Sequence, residues 1–498
     1  MPKLTSRVLV LAMAVLGVVS VATAQSPAPS PPAAAPAKVD PARPAFTIIR
    51  WGEDYSFLRD PGKREGFLDN LKYIPLGQDV HLSLGGQARL RYENYTHLNF
   101  GAGKQDTGGS YLTRALIHAD LHLGSNVRVF AMGKTSLEDG RDQGPRSTDR
   151  DEYDIQQLFG DLKLPWADDA STTLRFGRFE LLYGGQRVIG SSDWSNTRRA
   201  FEGFWSRNSF KNDWSSHNLD VFLTRPVLVD PTRFNDGDGD QTFWGVYDSI
   251  SLPTLIAKAG TKLDLYLLGQ HLSKTATRSF DAETYTVGAR FTTKPKPWDA
   301  DVEVAYQFGD RDSAEISAWM AAAEAGYTFD DVTLAPRLFA GFDYASGDGD
   351  GTADGKFNRW NPLYVTNHRY LGESDTIGRV NVISPNVGID FTLAKNKSWA
   401  EKLSLRAAYW AFWRADTSDS VFVEINSNSA LSRPQSSSDA FVGQEINLTL
   451  NWQYNRNLMF VANISHFFAG DYINSSSGGD SSVAKDITFA YFSAQFTF

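Results

Sequence analysis

The sequence predicts an all-β fold: a transmembrane antiparallel β-barrel of about eighteen strands with no plug domain. Three observations carry this. The final stretch, Ile487 to Phe498, places Ala490, Phe492, Ala494, Phe496 and Phe498 on one face and Tyr491, Ser493, Gln495 and Thr497 on the other. A strand between lipid and a wet lumen needs that alternation, and a terminal Phe is common on the last strand of such barrels. From Val80 onward nearly every segment is a period-two run punctuated by Gly, Asn, Asp, Pro or Ser. The connections between runs are alternately long and short. A soluble sandwich strand can alternate in the same way, but it does not require the long/short rhythm.

Taken in order, Lys3 and Arg7 precede an apolar run, Val8 to Val21, that ends at Ala22-Thr23-Ala24. This is the layout of a secretory signal, so residues 1–24 are set aside. Residues 25–45 are rich in Pro and Ala and read as an extended periplasmic tether. Residues 46–79 are aromatic and charged without a clean period and read as a short lead-in below the barrel. Residues 80–498 form the barrel. Its eighteen runs begin near Val80, Tyr111, Val127, Asp154, Thr173, Phe201, Ser216, Gln241, Lys262, Glu283, Ala300, Ile316, Leu334, Val380, Leu403, Phe441, Leu458 and Ile487. An even number returns the chain to the side it started from. If the first strand rises from the periplasm, the gaps 94–110, 138–153, 184–200, 348–379, 416–440 and 469–486 are extracellular and long. The gaps 124–126, 294–299, 330–333 and 455–457 are periplasmic and short. The gap 310–315 breaks the rule, and the sixth run is short. At eighteen strands the interior is too wide for side chains alone to fill, so an aqueous passage is expected. Residues 25–79 are too few for the large plug of energised transporters.

Composition agrees with a bacterial outer-membrane location and contact with its lipid. Beyond the signal no stretch reaches the ~18 apolar residues of a spanning helix, and mean hydropathy is −0.33. The chain has no Cys, so it crosses an oxidising compartment with no disulfide to form. Aromatic residues make up 13%, including 13 Trp, enough for interfacial girdles. The net charge of −9 argues against a nucleic-acid partner, which calls for a basic excess.

Parity assigns the faces. In the first strand Val80, Leu82, Leu84, Ala88, Leu90 and Tyr92 face lipid, leaving His81, Ser83, Gln87, Arg89, Arg91 and Glu93 inside. In the second, Thr113, Ala115, Ile117, Ala119 and Leu121 face out, and Arg114, His118, Asp120 and His122 face in. The same rule turns inward Arg128, Lys134, Asp161, Lys163, Arg175, Arg290, Arg337, Asp343, Arg406, Arg414 and Glu445, together with Asp220, Asp264, Asp301, Glu303 and Asp390. That is eleven basic against ten acidic groups, in a chain that is acidic elsewhere. Most of the basic groups are Arg, whose planar fork grips carboxylates in pairs. Interleaved acids would keep an anion from binding too tightly to leave. A salt-bridge lattice that merely stiffens the lumen fits the pattern equally well.

Two segments resemble the alginate-export family of outer-membrane porins: LRFGRFELLYGGQRVIGSSDWSNTRRAFEGFW (174–205) and FNRWNPLYVTNHRYLGESD (357–375). EDYSFLRDPGKREGFLDNLKYIPL (53–76) and VGQEINL (442–448) are similar at a lower level. The resemblance implies an eighteen-stranded porin through which alginate or a like anionic polysaccharide leaves the periplasm along an Arg-rich lumen. It places Arg175, Arg178 and Arg187 on the motif and Trp194, Arg198 and Arg199 in the loop after it. By parity Arg175 and Arg178 cannot both point inward on a regular strand, so either Gly177 carries a bulge or Arg178 lies near the rim. Phe179 departs from a Gln frequent in the family. Alginate systems use a repeat-containing periplasmic lipoprotein, for which the 25–45 tether is a candidate docking segment.

The expected substrate path is Arg89, Arg91, Arg114, Arg128, Arg175, Arg178, Arg187, Arg198, Arg337, Arg406 and Arg414, acting in a monomer without cofactor or covalent chemistry. The alternative is a porin for sugars or small anions on the same fold. A barrel enzyme is the rival from another class, but no GxSxG elbow occurs. His118 and His122, four apart on a strand, sit about 13 Å apart, too far for one metal. Asp348, Asp350 and Asp354 form a candidate weak Ca²⁺ site that lacks the Glu at the twelfth position, and a solvated acidic loop is the simpler reading.

Overall fold

The computed structural model describes residues 43–498 except 254, 257, 258, 367 and 425–428. The signal and the tether up to residue 42 therefore lie outside the described residues. Eighteen strands follow one another in chain order: β1 (Val80–Thr96), β2 (Ser110–Leu123), β3 (Val127–Asp139), β4 (Asp151–Ala167), β5 (Ala170–Phe179), β6 (Phe201–Lys211), β7 (Ser216–Leu228), β8 (Gln241–Ser251) and β9 (Lys262–Leu272), then β10 (Ala282–Thr293), β11 (Trp298–Arg311), β12 (Ala314–Thr328), β13 (Arg337–Ala345), β14 (Val382–Lys397), β15 (Ala400–Trp413), β16 (Phe441–Gln453), β17 (Leu458–Ala469) and β18 (Ile487–Thr497). Each pairs antiparallel with the next, and β18 returns to β1 from Gln87↔Thr497 to Thr96↔Thr488. Closure leaves the barrel wall without an open edge. The observed starts fall within three residues of those read from the sequence. β13 begins at Arg337 rather than Leu334, because Leu334 and Ala335 adopt left-handed φ (69° and 40°) in the preceding turn.

At one end of the barrel the connections are long (97–109, 180–200, 346–381, 414–440, 470–486). At the other they are short, as at 124–126, 168–169, 398–399 and 454–457. The exception anticipated at 310–315 is a two-residue turn at 312–313.

Alternation sorts the wall into two faces. Along β2, Arg114, His118 and Asp120 are buried while Ile117 is 67% exposed. Leu90, Phe176, Leu223, Val387, Ile446 and Phe492 are likewise exposed on the outer face. Two aromatic belts bound this apolar band. Trp166, Trp214, Trp298 and Trp399 lie near the short turns, and Tyr153, Phe308, Trp319 and Tyr409 lie near the long loops. Ile117→Arg is expected to cost about 2–4 kcal/mol of barrel stability, the penalty for a cation deep in hydrocarbon. Urea unfolding in detergent-free vesicles would measure it.

The interior differs from a simple wet lumen. Phe130, Phe159, Trp205, Phe222, Phe243, Tyr247 and Tyr266 point inward from β3, β4 and β6–β9. They form one buried cluster with Leu181, Val188 and Ile189 of the 180–200 connection and with Trp360 and Tyr364 of the 346–381 connection. Two of the long loops therefore fold inside and supply a core to one side of the barrel.

The lead-in also departs from its expected place. A helix, α1 (Phe67–Lys72), and the Tyr55, Leu58, Tyr73 cluster cap the short-turn end, but residues 46–52 enter the barrel. Arg50 donates to the carbonyls of Gly86 (3.1 Å) and Phe498 (2.8 Å). The Trp51 ring lies edge-on to Phe159 and Trp205, each 6.1 Å away.

Candidate functional site

The connection between β5 and β6, residues 180–200, crosses the interior as a strap because its side chains match the wall on both sides. On the aromatic side, Tyr183 stacks on Tyr247 (4.4 Å) and donates to Asp220 (2.9 Å). On the opposite side the strap offers main-chain carbonyls and the wall offers guanidinium groups. Arg89 donates to the carbonyls of Asp193 (2.8 Å) and Ser195 (2.9 Å), and Arg91 to that of Trp194 (2.6 Å). Arg114 donates to the Asp193 carboxylate (2.8 Å) and to the carbonyls of Asp193 (2.8 Å) and Ser195 (3.0 Å). Charge-assisted bonds of this kind are stronger than neutral ones. Burial would raise the Asp193 carboxyl, but Arg114, Arg198 and Arg89 hold it well below the usual carboxylate range.

The 346–381 loop meets the strap. Ile189 bridges to Tyr364 through main-chain bonds, and Tyr364 packs edge-on against Phe201 and Phe243. Further along, the His368 ring lies flat on Trp194, with centroids 3.5 Å apart. Its Nδ1 is 2.8 Å from Asp375 and its Nε2 is 3.0 Å from Glu373. Burial opposes a charge here, yet Asp375 and Glu373 overcome it and push the imidazole up to about 10. The Trp194 indole also donates to Asp375 (2.5 Å), and the Glu445 carboxylate on β16 accepts from the Glu373 and Ser374 amides (2.9 and 3.1 Å).

Beside the two loops remains a cavity of about 940 Å³, walled by β1 and β13–β18. Arg89, Arg91, Arg337 and Arg406 reach it from the wall and Arg369 from the loop, with Lys395 and Lys402 near the short-turn end. Asp193, Asp330, Glu373 and Asp390 are the acids on its lining. Arg337 is shared among Asp299 (2.5 Å), Glu324 (2.8 Å) and Asp390 (3.2 Å), and Arg406 clasps Asp390 (2.7 Å). Lys395 faces Lys402 across the β14–β15 ladder. Among the described residues, Arg369, Lys395 and Lys402 have no ion pair.

A family model described as "Alginate export" matches residues 80–485. The chain belongs to the alginate-export family. No curated protein matches the sequence. Solved structures share the fold. Acinetobacter baumannii OccAB1 is similar at a TM-score of 0.54 and 12% identity over 87% of this chain and 99% of that one. Pseudomonas aeruginosa OprD matches at 0.51 and 15% identity over 86% and 96%, and P. aeruginosa OpdK with vanillate at 0.53 and 11% over 84% and 98%. The protein is accordingly an outer-membrane porin, and in barrels of this type the short turns lie in the periplasm and the long loops outside.

Within this alginate-export porin the residues named from sequence separate into several places. Arg89, Arg91, Arg337 and Arg406 line the cavity, and Arg114 stands directly behind the strap. Arg198 ties the far end of the strap back to Glu180 at its start and donates to the Ile48 carbonyl (2.9 Å), and Arg199 holds the carbonyls of Gly190 (2.9 Å) and Tyr364 (2.5 Å). Arg187 pairs with Asp301 (3.0 Å) and Glu303 (3.2 Å). Arg128 is clasped by Asp120. Arg175 is bidentate to Asp161 (2.7 Å) and sandwiched between Trp51 and Phe159 (3.8 and 3.6 Å), away from the large cavity. Arg178 stands on the exterior. Pairing runs unshifted through Gly177, so Arg178 shares its face with exposed Leu158 and is held by Glu202 (2.6 Å) and Asp154 (3.1 Å) at the extracellular end. Arg414 also leaves the lumen, donating to the carbonyls of Asp419 (2.7 Å) and Ser437 (2.8 Å) among the outer loops. Asp348 lies beside Asp350, but the two do not gather Asp354 into one site. Asp348 accepts from the Asn358 amide (3.0 Å) and Asp354 from the Lys356 amide (2.8 Å), and no metal-holding group of carboxylates or His forms among the described residues.

Sequence reasoning missed Arg369, Lys395, Lys402 and the Trp194–His368 stack. The two Lys lie at strand ends in KNK and EKL, which read as ordinary turn charges. His368 and Arg369 sit inside a motif singled out for resemblance, but nothing local announces that the loop turns inward.

Proposed function

We propose that this porin conducts an anionic polysaccharide of the alginate type outward from the periplasm. The observation that carries the reading is the lone cations of the cavity. Lys395 and Lys402 at the periplasmic end and Arg369 deeper in are uncompensated, while Arg337 and Arg406 share their charge with Asp390. A polyuronate carboxylate entering from the periplasm would meet free ammonium groups first. It would then reach guanidinium groups already half satisfied, which attract it without trapping it. Transport needs no bond made or broken, and the protein acts as a guide rather than as an enzyme.

Replacing Arg369, Lys395 and Lys402 together with Glu is expected to reduce the anion-over-cation permeability ratio roughly tenfold, equivalent to about 1.4 kcal/mol of preference. Reversal potentials in planar bilayers under a salt gradient read it directly. An unchanged reversal potential removes these residues from the path. A second reading, a channel for small organic acids, is favoured by the modest size of the cavity and by the fold shared with a porin solved with vanillate. Oligouronates separate the two: they interrupt the current of a polymer channel and leave that of a small-acid channel undisturbed.

A further inference from the structure

We propose that the lead-in residues 46–52 form a withdrawable partition inside the barrel, whose departure joins a second compartment to the main cavity. This rests on the conduit reading only in requiring that ions cross the lumen, and not on the identity of the cargo. Ile48 lines the large cavity and also a separate one of about 420 Å³, bounded by Thr47, Trp51, Arg175, Tyr183, Trp205 and Arg207. The tip of the lead-in, beside the strap that also borders both, therefore stands between the two spaces.

The way it is held permits it to leave. The main-chain hydrogen bonds of residues 43–73 are internal turns, such as Gly52 to Ile49 and Glu53 to Arg50. Ladder pairing to the wall begins only at Ile74↔Leu82. Side chains alone fasten the tip: Arg50 to the Gly86 and Phe498 carbonyls, Arg198 to the Ile48 carbonyl, and Trp51 against Arg175 and its neighbours. Docking also leaves polar groups unserved. Trp51 Nε1 and Lys72 Nζ are shielded without a hydrogen-bond partner. Lys72 lies against Gly85 and the aromatic faces of Tyr55 (4.9 Å), Phe498 (5.8 Å) and Phe46 (5.9 Å). Burial, with Arg50 beside it, pulls its ammonium down to about 7. A segment seated without a ladder and with buried donors unmet is seated weakly. When it withdraws, Arg175 loses its Trp51 cover and joins Arg207 in facing the passage.

The absence of Cys from the chain makes the test clean. The variant Ile48→Gly/Trp51→Ala removes the partition's bulk. The variant Ile48→Cys/Gln186→Cys, cross-linked by a short bis-methanethiosulfonate that forms a reducible disulfide with each Cys and expels methanesulfinate, locks the tip to the strap. Heat-modifiable migration first shows that both barrels are folded. The trimmed variant is expected to show a higher single-channel conductance than the parent, because the joined space offers ions a wider cross-section. The linked variant is expected to hold one low level, and reductant restores excursions to the higher one. Equal conductance of parent and trimmed variant overturns the partition. A trimmed variant that conducts more while reductant leaves the linked one unchanged overturns the withdrawal. Salt-gradient reversal potentials recorded on the same channels report separately on anion preference, so failure of the cargo reading leaves this outcome legible.

Discussion

Arg114→Met is expected to unfasten the 180–200 strap while leaving the barrel closed. The Arg114 side chain is fully buried and serves the Asp193 carboxylate, two strap carbonyls and the Gln87 amide oxygen (2.7 Å) at once. Deleting it leaves the two strap carbonyls and the Gln87 oxygen short of a donor, at a cost of about 1–3 kcal/mol, while Asp193, 27% exposed, keeps Arg198 at 3.5 Å. The loss falls on the strap, since the main chain of residue 114 keeps its ladder to Arg89 and Ser136. New protease cuts confined to 180–200 and a larger, noisier single-channel current are the expected signs. Adding Asp193→Asn should return little of the loss, because Arg198 still serves that carboxylate at 3.5 Å. An Arg114→Met porin with parental current and parental protease resistance would show that the strap does not depend on this contact.

Raising the pH from 6 to 11 is expected to loosen the junction between strap and 346–381 loop, through His368. Its imidazole titrates near 10 in the folded protein against 6.5 for an ordinary histidine. The folded value is the higher one, so the stabilisation is complete below pH 6.5, declines between 6.5 and 10, and is gone above 10. It amounts to about 5 kcal/mol, at about 1.4 kcal/mol per pH unit between 6.5 and 10. Once neutral, the ring can no longer balance both Glu373 and Asp375, and the Trp194 stack loses its cation. Open-channel noise should therefore grow over this window in the parent. His368→Gln should be noisy throughout with a flat profile. A variant that follows the parental pH curve would assign the effect to another group.

The barrel was legible because each strand is a local record. Period-two alternation from Val80 to Phe498 needs only the contrast between hydrocarbon and the interior, so strand number, order and most boundaries could be read off. Parity also placed Arg89, Arg91, Arg114, Arg337 and Arg406 inward for the same local reason. What lay beyond reach depends on contacts distant in sequence. Phe243 and Tyr247 stand at inward positions of an otherwise regular strand, but only Tyr183 and Tyr364, folded in from two loops, explain why those positions are aromatic. Residues 46–52 gave no sign of entering the barrel, because Trp51 finds its partners more than a hundred residues away. Arg414 was assigned to the lumen by extending parity one residue past the end of β15, where alternation no longer governs direction.

The strap has a consequence for how such a porin changes over time. Wall residues that face the passage also serve as anchor points for an internal fold, so under the proposed conduit function cargo preference and thermal endurance draw on the same atoms. Arg89 or Arg91 cannot be exchanged to suit a new solute without disturbing what keeps the loop seated. Lys395, Lys402 and Arg369 touch nothing of that kind, so they are the positions where drift or a designed library can alter traffic while the rest of the molecule stays as it is.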